Sequence, residues 1–431
     1  MVPGELQGVG GWGSCCQPQR PEPRRSEAAP RKSREQSRRP WQGLRQTSAS
    51  AGHPRVRAAA GGPEHVVQAF VIIANHQSQY DFVNLIGMTR RHMSFVVSDS
   101  FYKTLPFKSI MDSIGVIPKQ QFGTTISDIK RMKRTVEDGG ILVVYPAGLM
   151  CEDGLSTPIP AATYRFLQWL GADVYVARCS GTYFAMPKWT KGMRAGRTYL
   201  DVYRLFTREE LAESPESDVR VRAEEALLFD AYREQENLRI KYKKGDQIEG
   251  LEHVLYMCPH CHSEFTIDTK DKHTLYCRAC GYEQTCDEYG FLHHNGTVGQ
   301  EIRYVSDWSR MIYNRVRQEI IDGALTELSA DAELQTIDCD KCKFVTAGRA
   351  TVSLTADGFT IRGTLRGEET ELAVSITNFA SLPFKPGRHF EIQQGENIYR
   401  CLLDDGRLVM KFINMIKVYY ELANTPCEKE L

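Results

Sequence analysis

Between Val66 and about Phe206, short apolar runs alternate with stretches of helical periodicity, and no other feature narrows the fold as far. Val71–Ala74, Phe95–Val97, Ile141–Tyr145, Val174–Ala177 and Tyr199–Tyr203 are read as strands. Phe82–Met88, Thr125–Glu137 and Ala161–Leu170 are read as helices. Alternation of this kind predicts an α/β domain with a largely parallel sheet. In such sheets sites gather where strands hand over to loops.

The first of these runs ends in His76, and Asp81 follows five residues later. Five is the wrong spacing for two groups on one face of a continuous helix, which favours three or four. It suits a histidine in the loop after a strand and an aspartate at the start of the next helix. There the carboxylate can hold one imidazole nitrogen while the other is free to take a proton.

With 42% hydrophobic and 25% charged residues and a formal net charge of zero, the whole chain has no overall pull toward nucleic acid or anionic lipid. No run of 18 or more apolar residues and no apolar leader is present, so neither a membrane-spanning helix nor a signal peptide is expected. The 13 cysteines are therefore expected in a reducing cytosol, where pairs read as metal ligands before disulfides. Charge is uneven, however. Residues 1–62 carry eleven Arg or Lys against four Glu and are rich in Pro, Gly, Ser and Gln. They are read as a disordered basic tail or an artefact of the gene model.

Cys258-Pro-His-Cys261 and Cys277-Arg-Ala-Cys280 are separated by fifteen residues. Each pair makes a tight knuckle offering two thiolates, and a hairpin between them closes a tetrahedral site. Structural Zn²⁺ is the expected occupant; rubredoxin-like iron and a redox dithiol pair are the alternatives. Acidic residues are interleaved with the basic ones here, so a nucleic-acid partner is not expected. Cys339 and Cys342 form a second C-x2-C without a partner pair, read as two free thiols, a metal site or a redox switch. A helix is expected from Tyr304 to Ser329. Beyond about Lys343 come alternating strands: Ala350–Leu354, Phe359–Leu365, Thr370–Ile376, His389–Gln393 and Ile398–Leu403. A closing helix carries Leu408, Val409, Phe412, Ile413, Ile416, Tyr419 and Tyr420 at helical spacing.

Asn75-His76-Gln-Ser-Gln-Tyr-Asp81 resembles the N-H-x4-D motif of the glycerolipid acyltransferase family. Later segments follow in the family's order. Ser113–Lys119 resembles its second motif, Val144–Gly154 its third (normally F-P-E-G-T-R-S), and Val174–Gly181 occupies the place of the fourth. The cysteine module resembles a zinc ribbon, and the C-terminal strands with their helix are similar to a PH- or GRAM-type module. The resemblance implies that His76 is the general base and Asp81 its partner. It places Asn75, Lys119 and Gly148 at the substrate, with Cys258, Cys261, Cys277 and Cys280 on the metal. The acyl donor would be acyl-CoA or acyl carrier protein. The acceptor would be a lysophospholipid of the 1-acylglycerol-3-phosphate type, met in the cytoplasm at the inner membrane face.

This chain departs from the third motif at Ala147, Leu149 and Met150, and Met150 stands where the family carries an arginine for the acceptor phosphate. An apolar side chain cannot make that charge-assisted contact. The alternative is therefore a silent lipid- or protein-binding adaptor on the same fold. The expected organisation is a tail (1–62), an acyltransferase-like domain (63–210), a helical linker (211–250), a zinc ribbon (251–290), a helical connector (291–342) and a PH/GRAM-like domain (343–424).

Overall fold

Seven strands form the first sheet: β1 (Arg55–Ala58), β2 (Phe70–Ala74), β3 (Met93–Ser98), β4 (Ile117–Lys119), β5 (Ile141–Val144), β6 (Asp173–Ser180) and β7 (Tyr199–Phe206). The computed structural model describes residues 55–58 (backbone alone), 68–120, 125–243, 247–376 and 380–424. The strand order is β1-β7-β6-β2-β5-β3-β4, with β6 and β7 antiparallel and every other neighbouring pair parallel. The parallel strands are apolar at consecutive positions because both faces of the sheet are covered. Val71, Ile73, Leu142, Val174 and Val176 pack on one face with Met132, Leu167 and Val219. Phe70, Ile72, Ile141, Val143 and Tyr175 pack on the other with Leu85 and Met88.

Strand β1 falls inside the segment 1–62 read as a disordered basic tail or an artefact of the gene model. Arg55–Ala58 pair in parallel with Tyr199–Val202 at the sheet edge. A four-residue edge strand of Arg, Val and Ala has no periodicity that marks it in sequence. The remainder of that segment lies outside the described residues.

The cysteine module is a four-stranded antiparallel sheet of β8 (Ile267–Thr269), β9 (Thr274–Cys277), β10 (Glu283–Cys286) and β11 (Leu292–His294). Helix Val305–Ile321 follows, and its Trp308 is fully buried against Tyr282, with the indole N–H donating to Met257 O at 2.8 Å. The helix ends at Asp322-Gly323, where Gly323 adopts φ +70°, eight residues short of the Ser329 limit read from sequence. The next element is a strand.

The last sheet is antiparallel and contains β12 (Leu328–Asp338), β13 (Lys343–Thr355), β14 (Gly358–Leu365), β15 (Glu368–Val374), β16 (Phe384–Lys385), β17 (His389–Gln394) and β18 (Asn397–Leu403). Its order is β15-β14-β13-β12-β18-β17-β16. Strand β12 lies at the centre of this sheet yet inside the stretch read as a helical connector. Leu-Ser-Ala-Asp-Ala-Glu-Leu-Gln is rich in good helix formers, and pairing with β13 and β18 overrides that preference. Helix Val409–Asn424 packs its apolar stripe onto the sheet, and Phe412 meets Phe359 and Phe390. The Cys339–Cys342 segment is the turn between β12 and β13, with Cys339 exposed.

Candidate active site and four-cysteine cluster

Strand β2 ends at Ala74, and the loop that follows lies between the C-terminal ends of β5 and β6. The helix Asp81–Ile86 starts on the aspartate itself. His76 Nδ1 lies 2.9 Å from Asp81 Oδ2. The imidazole is 21% exposed, whereas the carboxylate is completely buried. That same carboxylate oxygen accepts the backbone N–H groups of Gln77 at 2.7 Å and Ser78 at 2.9 Å. Three donors converge on one acceptor, so the imidazole proton sits on Nδ1 and Nε2 carries the free lone pair.

The loop is fastened by side chains that the family motif leaves unspecified. Gln77 Nε2 donates to Cys179 O at 3.1 Å, while its Oε1 accepts from Tyr183 N at 3.2 Å and Thr182 Oγ1 at 3.3 Å. Ser78 Oγ donates to Met186 O at 2.9 Å. The Tyr145 ring, just beyond β5, stacks on the His76 imidazole with centroids 4.2 Å apart and an interplanar angle of 25°. Because β2 and β5 are neighbours in parallel, residues immediately past their ends meet face to face.

Of the other residues expected at a substrate, Asn75 is 4% exposed and its amide is engaged twice with the backbone of β6. Its Nδ2 donates to Cys179 O, and its Oδ1 accepts from Cys179 N, both at 2.8 Å. This clamp ties the end of β2 to β6. Lys119 stands at the end of β4, three strands from β2, or about 14 Å at ordinary strand spacing. Its ammonium donates to Gln120 O at 3.2 Å, and burial lowers its pKa despite the opposing pull of Asp128. Gly148 closes the turn after β5 through its N–H to Tyr145 O at 2.9 Å. It adopts φ +68°, a conformation that favours glycine, in open space.

A further feature had no recognised signal. Glu152 lies in the segment that resembles the third motif, is 5% exposed, and pairs with Lys417 of the last helix. Burial alone would raise the Glu152 carboxyl, but the charges of Lys417 and Lys188 outweigh it and hold the group below its ordinary range. Next to Glu152, Cys151 N donates to His76 O at 3.1 Å. The signal that sequence does contain is a lysine beside an apolar helical stripe and two adjacent acids near the end of a motif segment.

Cys258, Cys261, Cys277 and Cys280 come together, with all Sγ atoms within 4.8 Å of one another. Cys258 Sγ to Cys280 Sγ is 3.7 Å and Cys261 Sγ to Cys277 Sγ is 3.8 Å. A tetrahedron with bonds of about 2.3 Å has edges of about 3.8 Å, so the donor set fits a thiolate-bound metal ion. The residue after each knuckle is left-handed: Gly281 at φ +78°, and His262 at φ +58°. His262 N donates to Cys258 O and Gly281 N donates to Cys277 O, both at 3.0 Å, so the two knuckles are built alike.

Residues 57–178 match the family model described as Acyltransferase. No curated protein matches the chain. Among solved structures, the 1-acyl-sn-glycerophosphate acyltransferase PlsC of Thermotoga maritima aligns over 44% of this chain and 74% of its own, at 17% identity and a TM-score of 0.36. The Ran-binding domain of Nup2 from Ashbya gossypii aligns over 23% of this chain and 98% of its own, at 13% identity and a TM-score of 0.19. The stretch that matches the acyltransferase family model, residues 57–178, contains both His76 and Asp81 and is under a third of the chain.

Proposed function

We propose that the protein is an O-acyltransferase that moves a fatty acyl group from acyl-CoA or acyl carrier protein to a hydroxyl of a lysophospholipid of the 1-acylglycerol-3-phosphate type. The observation that carries this reading is the His76–Asp81 pair: a part-exposed imidazole with Nδ1 held by a buried carboxylate and Nε2 free. Nε2 takes the proton of the acceptor hydroxyl as its oxygen attacks the thioester carbonyl. The tetrahedral intermediate then expels the thiolate, which recovers the proton from the imidazolium. Asp81 fixes the tautomer and stabilises the imidazolium.

A lipid substrate is supported by the surroundings. Phe82, Val83 and Ile86 are exposed on the helix that begins at Asp81, and Phe101, Phe107, Ile110, Ile114 and Ile126 are exposed on the elements beside β3 and β4. An apolar surface of this kind suits peripheral contact with a membrane at its cytoplasmic, inner face. No helix among the described residues is long and apolar enough to cross a bilayer. Lys119 and Gly148 line the acceptor's path, whereas Asn75 holds the loop. The four thiolates hold structural Zn²⁺, which fastens the ribbon and gives residues 251–290 the status of a distinct module. The antiparallel sheet and its helix serve as a PH/GRAM-like module, with its first strand at Leu328.

A second reading, a silent adaptor, is favoured by Ala147, Leu149 and Met150 in the third motif. Incubation with palmitoyl-CoA and a panel of lysophospholipids separates the two. Release of free CoA with a matching diacyl product supports the enzyme, and no release with any acceptor supports the adaptor.

A further inference from the structure

We infer that the outward face of helix Ile126–Glu137 docks the chain on anionic phospholipid, with bilayer phosphate headgroups seated in a groove lined by Ile126, Ser127, Lys130, Arg131 and Arg134. This docking deepens the membrane contact given under Proposed function and rests on it. The helix divides by its own spacing. Met132 and Val136 are buried against the sheet, with Ile129 packed beside them. The five groove residues fall at i, i+1, i+4, i+5 and i+8, a single stripe on the other side. They line an open depression of about 400 Å³, room for a headgroup phosphate with its glycerol.

Charge and exposure on this stripe suit a lipid surface. Of the four cations on the helix, Lys133 turns elsewhere and donates to Trp169 O at 3.0 Å and Leu170 O at 2.9 Å. The one acid in the first two turns, Asp128, is 4% exposed and closes a capping box with Thr125. It pairs with Arg131 at 3.3 Å, whereas Lys130 and Arg134 have no ion-pair partner among the described residues. A chain with a formal net charge of zero therefore presents a local cationic stripe. A merely solvated helix face would carry charge alone. Here Ile126 stands in the same groove at 72% exposure, the highest of the large apolar side chains among the described residues. An exposed isoleucine beside unpaired cations is the combination an interfacial helix uses: apolar atoms enter the acyl boundary and cations meet phosphates. Topology places the groove at the reacting edge of the sheet. Strands β2, β5, β3 and β4 all run the same way, so the helix after β4 begins at the edge where the loop after β2 carries His76. Phe101, in the helix that directly follows β3, adds exposed apolar surface at that edge.

The test is sedimentation of the full chain with phosphatidylcholine vesicles, with and without one part in four of phosphatidylglycerol. Partition should be higher on the anionic vesicles, and salt near 1 M, where the screening length is about 3 Å, should erase the difference. Lys130→Gln combined with Arg134→Gln should lower partition on the anionic vesicles about 25-fold, or about fivefold for each cation, and leave the neutral vesicles unaffected. Both side chains are exposed and glutamine is a good helix former, so the pair should keep the fold, which circular dichroism checks. Arg134→Gln alone supplies the fivefold step if the pair does not fold. Unchanged partition of either variant overturns the inference. Displacement by inorganic phosphate beyond that of sodium chloride at equal ionic strength assigns the groove to a small soluble anion and overturns it too. Equal binding of the unmodified chain to both vesicle types removes this inference alone. No binding to any vesicle removes the membrane contact proposed above and this inference together. The readout does not use acyl transfer, so a chain that sorts vesicles without turnover counts against the enzyme reading alone.

Discussion

Asp81→Asn separates the charge of the carboxylate from its geometry. Asp81 Oδ2 accepts Gln77 N at 2.7 Å, Ser78 N at 2.9 Å and His76 Nδ1 at 2.9 Å. A carboxamide can place its oxygen or its NH₂ at that position. With NH₂ there, two buried backbone N–H groups face another donor, at about 1–3 kcal/mol for each group left unsatisfied. The amide oxygen therefore takes the Oδ2 place by a margin of roughly 2–6 kcal/mol. The histidine then keeps its proton on Nδ1, and only the ionic character of its partner is lost. Hydrogen bonds to charged groups exceed neutral ones by about 1–2 kcal/mol, so kcat for acyl transfer should fall about 5- to 30-fold. Stopped-flow detection of free CoA measures this, with circular dichroism confirming the fold. A loss near 10⁴-fold, the scale seen when a triad asparagine imposes the wrong tautomer, would show that the two amides do not decide the orientation. An unchanged kcat would show that the charge has no part in the chemistry.

Other consequences follow from the same contacts. Asn75→Ala removes both bonds to Cys179, whose O keeps Gln77 Nε2 while its N–H loses the Asn75 acceptor, and should cost about 1–3 kcal/mol of stability by urea unfolding; an unchanged urea midpoint would contradict the clamp. Lys417→Met leaves Glu152 buried without its partner and should destabilise the chain by about 3–5 kcal/mol, whereas Glu152→Gln combined with Lys417→Met should recover much of that loss. Burial, joined by Arg400, Arg388, Lys385 and Lys188, lowers His389 to about 3. Between about 6.5 and about 3 the unfolded chain binds a proton that the folded chain refuses, so stability falls as pH drops through that window, by at most about 5 kcal/mol from this group. Urea midpoints for His389→Gln should lose that slope. Elemental analysis should find one Zn²⁺ per chain, and Cys280→Ser should abolish binding and expose the ribbon to protease; full protection without metal would contradict the assignment.

The strands of the parallel sheet were legible because their residues are buried on both faces, so Val71–Ala74 and Ile141–Tyr145 stand out as continuous apolar runs near their observed limits. The five-residue spacing put His76 in a loop and Asp81 at a helix start, where the structure has them. The knuckles were equally legible, since C-x2-C is a local geometry. What escaped was set by partners distant in sequence. Strand β12 carries helix-forming residues and becomes a strand only by pairing with β13 and β18. Tyr145 meets His76 only because β2 and β5 are neighbours in the sheet. Glu152 finds Lys417 across 265 positions of chain. Asn75 reads in sequence as a substrate-side residue, and only the fold reveals that its amide meets the backbone of Cys179.

The central claim is that one imidazole activates the acceptor hydroxyl, and single-turnover transfer from radiolabelled palmitoyl-CoA to lysophosphatidic acid by His76→Ala tests it most directly. The account predicts that labelled diacyl product falls by at least about 10²-fold while the variant stays folded, because the general base is gone. Product formed at the wild-type rate would contradict it.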